Sequence, residues 1–189
     1  MSHAIETGGS PTAIDPHTPT LLLPLARLLR WVNDLMLSIG MLALLTAAGV
    51  LTYSVISRYV MKASTDWQDE TAVFCLVGAT FTCGAFVQSV RGHIGIEAVS
   101  GLLPAWANRL RQVGVDLMCL LFCGFFAWKS WTLFHEAWVD GMTTSSSWAP
   151  PLWIPYGLMA AGMSLLSLQI AVQLSASLNA LRMSPGGQP

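Results

Sequence analysis

Leu35 to Ile56 reads LMLSIGMLALLTAAGVLTYSVI, an apolar run without a single charged side chain. Wound as an α-helix rising about 1.5 Å per residue, such a run crosses the roughly 30 Å hydrocarbon core of a bilayer. The fold therefore turns on how many comparable runs the chain holds.

Three more follow. Thr71 to Val90 is uncharged between the boundary charges Glu70 and Arg91. Val113 to Phe134 is apolar but contains Asp116 and Lys129, and Leu152 to Leu174 is uncharged but carries Ser164, Ser167, Gln169 and Gln173. These runs predict an all-α integral membrane protein with spans at about 33–56, 70–90, 113–134 and 152–174. Residues 21–179 are expected to form the membrane domain, with loose cytoplasmic tails at 1–20 and 180–189.

Composition agrees. Hydrophobic residues make up 53% of the 189 positions and charged residues 10%, against roughly 25% charged in a soluble domain. The formal net charge of −1 holds no strongly acidic or basic segment, so no nucleic-acid partner is expected and membrane lipid is the first partner implied.

Segment ends carry their own marks. Thr65 to Gln68 has the spacing of a capping box, and Asp66, Asp69 and Glu70 suit the positive end of a helix dipole. Pro150, Pro151 and Pro155 precede or enter the fourth helix where a missing N–H costs little. All eight tryptophans, Trp31, Trp67, Trp106, Trp128, Trp131, Trp138, Trp148 and Trp153, fall at or beyond the ends of the predicted spans, at headgroup depth.

Arginine and lysine in the flanking loops set orientation. With the amino end in the cytoplasm, Arg27, Arg30, Arg91, Arg109, Arg111 and Arg182 lie on that side, against Arg58, Lys62 and Lys129 near the other. Six against three places both termini inside. The first 20 residues, rich in Gly, Pro, Thr and Ser, lack a basic n-region and do not read as a signal peptide. Leu21 to Trp31 has the length of a short interfacial helix. Between the second and third spans, Val99, Leu102, Leu103, Trp106, Leu110 and Val113 recur at helical spacing, predicting an amphipathic interfacial segment broken into two pieces by Gly101 and Pro104.

Chemistry is harder to find. Cys75, Cys83, Cys119 and Cys123 lie inside apolar spans without CxxC spacing and read as packing residues. His3 and His17 are in the tail, while His93 and His135 fall at opposite faces, roughly 30 Å apart, too far to share one haem iron. Neither a catalytic centre nor a cofactor or metal site is expected. Asp116 and Lys129 are charges within a span; 13 positions separate them, about 20 Å along a helix, too far to pair. Snorkelling or pairing with a neighbouring subunit is the plain reading of each, and ion coupling the alternative. Small residues at i, i+4, Ala43 with Ala47, Thr80 with Gly84 and Gly157 with Ala161, are candidates for close helix contact.

Trp67-Gln68-Asp69-Glu70 opens the second span, Gly84-Ala85 lies within it, and Arg91-Gly92-His93-Ile94 follows it, with Glu97 three positions later. Together with the four-span plan and Pro151-Leu-Trp-Ile-Pro155, this pattern resembles the small, DctQ-like permease subunit of tripartite ATP-independent periplasmic (TRAP) transporters. The resemblance runs from Arg30 to about Gln173. It implies a multi-pass subunit of the bacterial inner membrane, without enzymatic activity, whose partners are a large permease subunit and a periplasmic solute-binding protein. It further implies secondary transport of an organic acid or similar solute, driven by an ion gradient, with the small subunit as scaffold. Trp67, Asp69, Glu70, Arg91, His93, Trp106, Asp116 and Lys129 are the candidate docking or anchoring residues. Two other classes stay open: a membrane cytochrome or quinone-linked redox subunit, and a stand-alone small exporter.

Overall fold

The computed structural model describes residues 23–62, 65–89 and 105–182. Arg91, His93 and Glu97 lie outside the described residues, as does the first part of the amphipathic segment. Four helices account for nearly all of what is described: α1 (Leu23–Ile56, continued by a π turn at Ser57–Met61), α2 (Asp66–Ser89), α3 (Ala105–Val139) and α4 (Trp153–Arg182). Each is long and apolar enough to cross a membrane. Among the described residues the only β pairing is an isolated bridge between Thr143 and Pro151.

Local chemistry explains where the helices stop. The π turn ends at Lys62 in the left-handed region at φ 52°, which reverses the chain toward α2. Asp66 and Asp69 occupy the first turn of α2, where the unpaired N–H groups favour negative charge. The capping-box spacing marks this start, but its hydroxyl is used elsewhere. The Thr65 carbonyl accepts from the Gln68 and Asp69 amides, while the Thr65 hydroxyl accepts from Arg58. Pro155 sits in the first turn of α4, where its missing N–H removes no helical bond.

One expected separation is absent, and the break expected at Gly101 and Pro104 lies outside the described residues. Leu23 to Trp31 forms the first turns of α1 and is no separate interfacial helix. Ala105 to Val113 continues without interruption into the third span. Backbone hydrogen bonding is cooperative, so once a long apolar helix is nucleated the flanking turns extend it at little cost.

The helices stand side by side in the order α1, α2, α4, α3. Helices consecutive in sequence run antiparallel, so the adjacent α2 and α4 are parallel; one end of the array, here called proximal, holds Leu23, Ser89, Ala105 and Arg182, and the distal end holds Met61, Asp66, Val139 and Trp153. α2 and α4 are packed on both flanks. α1 and α3 are packed mainly on one and expose long apolar faces, among them Leu42, Leu45, Met118, Phe122 and Trp128.

Small residues set the helix spacing. α1 buries Leu29, Asn33, Gly40, Ala47 and Ser54, separated by four and then repeatedly by seven positions, the seam of a left-handed helix pair. A Cβ at Gly40 would collide with the Cys83 sulfur of α2, and one at Gly162 of α4 would overlap the Phe81 carbonyl of α2. Gly157 would meet the Phe134 ring of α3 at 3.1 Å. Of the six small residues named from spacing, Ala47 is buried and Gly157 makes a close contact, whereas Thr80 and Ala161 face outward. Gly40 and Gly162 carry the tightest approaches.

Candidate functional site

Most interhelical polar contacts lie toward the two ends of the array, with one, from Trp131 Nε1 to Ser164 Oγ at 3.0 Å, between them. At the distal end, four residues form a knot across the α1–α2 turn. Arg58 Nη2 donates to Thr65 Oγ1 at 2.6 Å and to Asp69 Oδ2 at 3.1 Å, while Ser54 Oγ donates to Asp69 Oδ1 at 3.2 Å. Arg58 follows the π turn's first residue, so that the widened turn carries its guanidinium back over the start of α2. Asp69, a candidate docking residue in the sequence reading, is thereby engaged within the chain.

Its neighbours differ. Gln68 is buried, yet its Oε1 has no hydrogen-bond partner, and the same holds for Oε2 of Glu70. Trp67 is 45% exposed and stacks obliquely on Tyr53 of α1, ring centroids 6.5 Å apart.

Toward the proximal end, three interhelical contacts all involve α4. Asn33 of α1 donates from Nδ2 to Gln169 Oε1 at 3.1 Å. Gln88 of α2 donates to Gln173 Oε1 at 2.9 Å, and Gln173 returns a bond to the Gln88 carbonyl at 2.8 Å. Ser177 donates to Asp116 Oδ2 at 3.3 Å. Asp116, read from the sequence as a snorkelling or intersubunit charge, is buried against α4 within this chain. A carboxylate in a low-dielectric seam is held by donors, and a hydroxyl one helix away supplies one.

Lys129 is different. It is exposed, and its Nζ lies 5.2 Å from the ring centroid of Trp128. The side chain of Trp106 is outside the described set.

The loop between α3 and α4 is ordered by its own bonds. Thr144 N donates to the Pro150 carbonyl and Leu152 N to the Met142 carbonyl, with Gly141 at φ +61° making the turn. This brings Trp148 back over α2. There it caps an apolar groove of about 290 Å³, floored by Phe74, Cys75 and Ala79 of α2 and walled by Gly40 of α1 and Leu158 of α4. A second, more open hollow of about 440 Å³ lies above it between Trp67 and Trp148. Nothing in the sequence's spacing signalled this groove, because it depends on helix order and on a loop folded backward.

Among the described residues no group of three or more His, Cys, Asp or Glu could hold a metal ion. His135 is exposed, and the four cysteines are unpaired thiols. The arrangement offers interhelical fastening and apolar surface.

Comparison with known proteins adds an independent line. The profile of the family described as tripartite ATP-independent periplasmic transporters, DctQ component, matches residues 47–180. The chain is 27% identical over 159 residues to the C4-dicarboxylate TRAP transporter small permease protein DctQ of Vibrio cholerae serotype O1 (strain ATCC 39315 / El Tor Inaba N16961), covering 71% of this chain and 66% of that protein. The chain thus spans just under two thirds of that relative's length. No solved structure matches.

Proposed function

The chain belongs to the DctQ family, the small membrane components of TRAP transporters, and from that premise we propose that it acts as the fixed scaffold of a three-part uptake system. Its partners would be a large multi-span permease subunit, which carries the solute, and a periplasmic binding protein, which delivers it. Both termini lie in the cytoplasm and the array sits in the bacterial inner membrane. Transport is driven by an ion gradient.

The observation that carries this reading is the contrast between a fastened interior and an open exterior. Polar groups within the array tie helix to helix, Asn33 to Gln169, Gln88 to Gln173 and Asp116 to Ser177. No span is interrupted within its described length, whereas carriers typically break helices near the midplane to expose backbone to substrate and ion. Such a body suits bracing better than carrying.

The solute is an organic acid or a similar small anion, recognised on the other two chains. The named relative is a C4-dicarboxylate transporter subunit; a dicarboxylate is the first solute to try. Trp67 and Glu70, with Arg91 and His93 of the sequence signature, bracket the second span and dock or anchor it. The buried Glu70 Oε2 without a hydrogen-bond partner fits a donor supplied from outside the chain.

Reconstitution tests the proposal. Proteoliposomes holding the large subunit should take up binding-protein-delivered solute only when this chain is present, and this chain alone should transport none. Uptake by the purified small subunit unaided would overturn the scaffold reading. Full uptake without it would do so equally.

A further inference from the structure

Lys129 stands on the wrong side of its helix for a charge in a membrane. α3 turns Asp116, Ala127, Ser130 and Ala137 inward. At about 100° per residue Lys129 lies far around the helix from that seam, in a row with Met118, Phe122, Phe125 and Leu133, all exposed. Among the described residues no other helix covers that row.

Depth and direction make the exposure costly. Lys129 precedes Glu136 by seven positions, about 10 Å below it along the axis. Helical side chains leave the backbone tilted toward the helix N-terminus, which for α3 is the proximal end. The stem of Lys129 therefore starts toward the bilayer centre, away from the nearer distal surface. A lysine near the N-terminal end of a helix snorkels with this tilt; Lys129 would have to snorkel against it. Its ammonium instead lies over Trp128, itself set edge-on to Phe125 at 6.2 Å. An indole face offsets part of the desolvation of a cation and leaves its hydrogen-bond donors unused.

Charges at such depth are normally met by a partner group. We propose that the outer face of α3, centred on Lys129 and Phe125, is the surface that docks the large permease subunit, and that a carboxylate on one of that subunit's membrane helices receives the Lys129 ammonium. This rests on the subunit reading above and specifies its geometry. The outer face of α1, by contrast, presents Leu42, Leu44 and Leu45 without a charge, and it faces lipid.

Site-specific photo-crosslinking in the co-expressed, membrane-embedded transporter separates the possibilities. A photoreactive residue at Phe122 or Leu133 should give an adduct with the large subunit, and one at Leu42 or Leu45 should not. Lys129→Gln should weaken co-purification of the large subunit in mild detergent by at least about tenfold, while Lys129→Arg retains it. Adducts only from the α1 positions, or lipid adducts alone from α3 while the complex stays intact, would overturn the docking face and leave the subunit reading standing. Failure of the unsubstituted chain to co-purify a large subunit would overturn the subunit reading and this inference together.

Discussion

Asn33 and Gln169 are 136 positions apart in sequence and joined by one hydrogen bond of 3.1 Å, which ties the first helix to the last. Asn33 is 1% exposed, and its Oδ1 has no partner, so the bond is its one compensation for burial. Interhelical hydrogen bonds in membranes contribute about 0.6 kcal/mol on average and about 1.7 at most. A double-mutant cycle of Asn33→Leu and Gln169→Leu, read by unfolding in mixed micelles, should give a coupling in that range. A coupling of zero would show that another helix or lipid replaces the contact.

Arg58 and Asp69 should matter less to stability than their prominence suggests. Their side chains are 60% and 50% exposed, so water screens the pair. Exposed pairs contribute about 0.2–1 kcal/mol. Asp69→Ala should therefore lower the thermal midpoint of the detergent-solubilised chain by no more than about 4 °C. If it abolishes transport in the reconstituted complex without that loss, Asp69 serves a partner as well as Arg58.

Asp116 separates structure from ion coupling. As a buried acceptor for Ser177 it should tolerate Asn, which keeps an oxygen in place, better than Leu, which removes that acceptor. Losing one partner of a buried hydrogen bond costs about 1–3 kcal/mol, so Asp116→Leu should be the clearly destabilised variant. Asp116→Asn should retain gradient-driven uptake. Loss of uptake in a folded Asn variant would instead give Asp116 a place in the ion pathway.

The reach and the limit of the sequence are both visible in these residues. Apolar length located four helices because burial in lipid requires about 20 apolar residues whatever the neighbours are. Faces were hidden for the same reason: a helix apolar on every side has no polar stripe to say which side packs. Thus Ala43 with Ala47 and Thr80 with Gly84 looked as suitable as any small pair, while Gly40 and Gly162 make the tight crossings. Asp116 and Lys129, alike in the sequence as charges within one span, differ because α4 covers one and not the other. The distal knot was half legible, since Thr65 and Asp69 mark the start of α2 but Arg58 reaches them through a π turn that no spacing predicts.

Close packing at Gly162 yields a sharp comparison. A methyl group there would meet the backbone of Phe81, which cannot swing aside as a side chain would. Gly162→Ala should destabilise the α2–α4 pair by about 1–3 kcal/mol. Gly49→Ala, where nothing lies within 4 Å, should be neutral or slightly stabilising in the same assay. Equal effects at the two sites would mean that α2 and α4 are not in contact at this level.

Trp148 can be tested through a thiol it covers. Cys75 lies in the groove beneath it, whereas Cys119 is exposed on α3 and serves as an internal reference. Removing the indole by Trp148→Ala should open the roof of the groove without touching either cysteine. With a small apolar maleimide in detergent, labelling of Cys75 relative to Cys119 should then rise several-fold. An unchanged ratio would show that the α3–α4 loop does not roof the groove in solution, and that the hollow between α1 and α4 is open to lipid along its whole length.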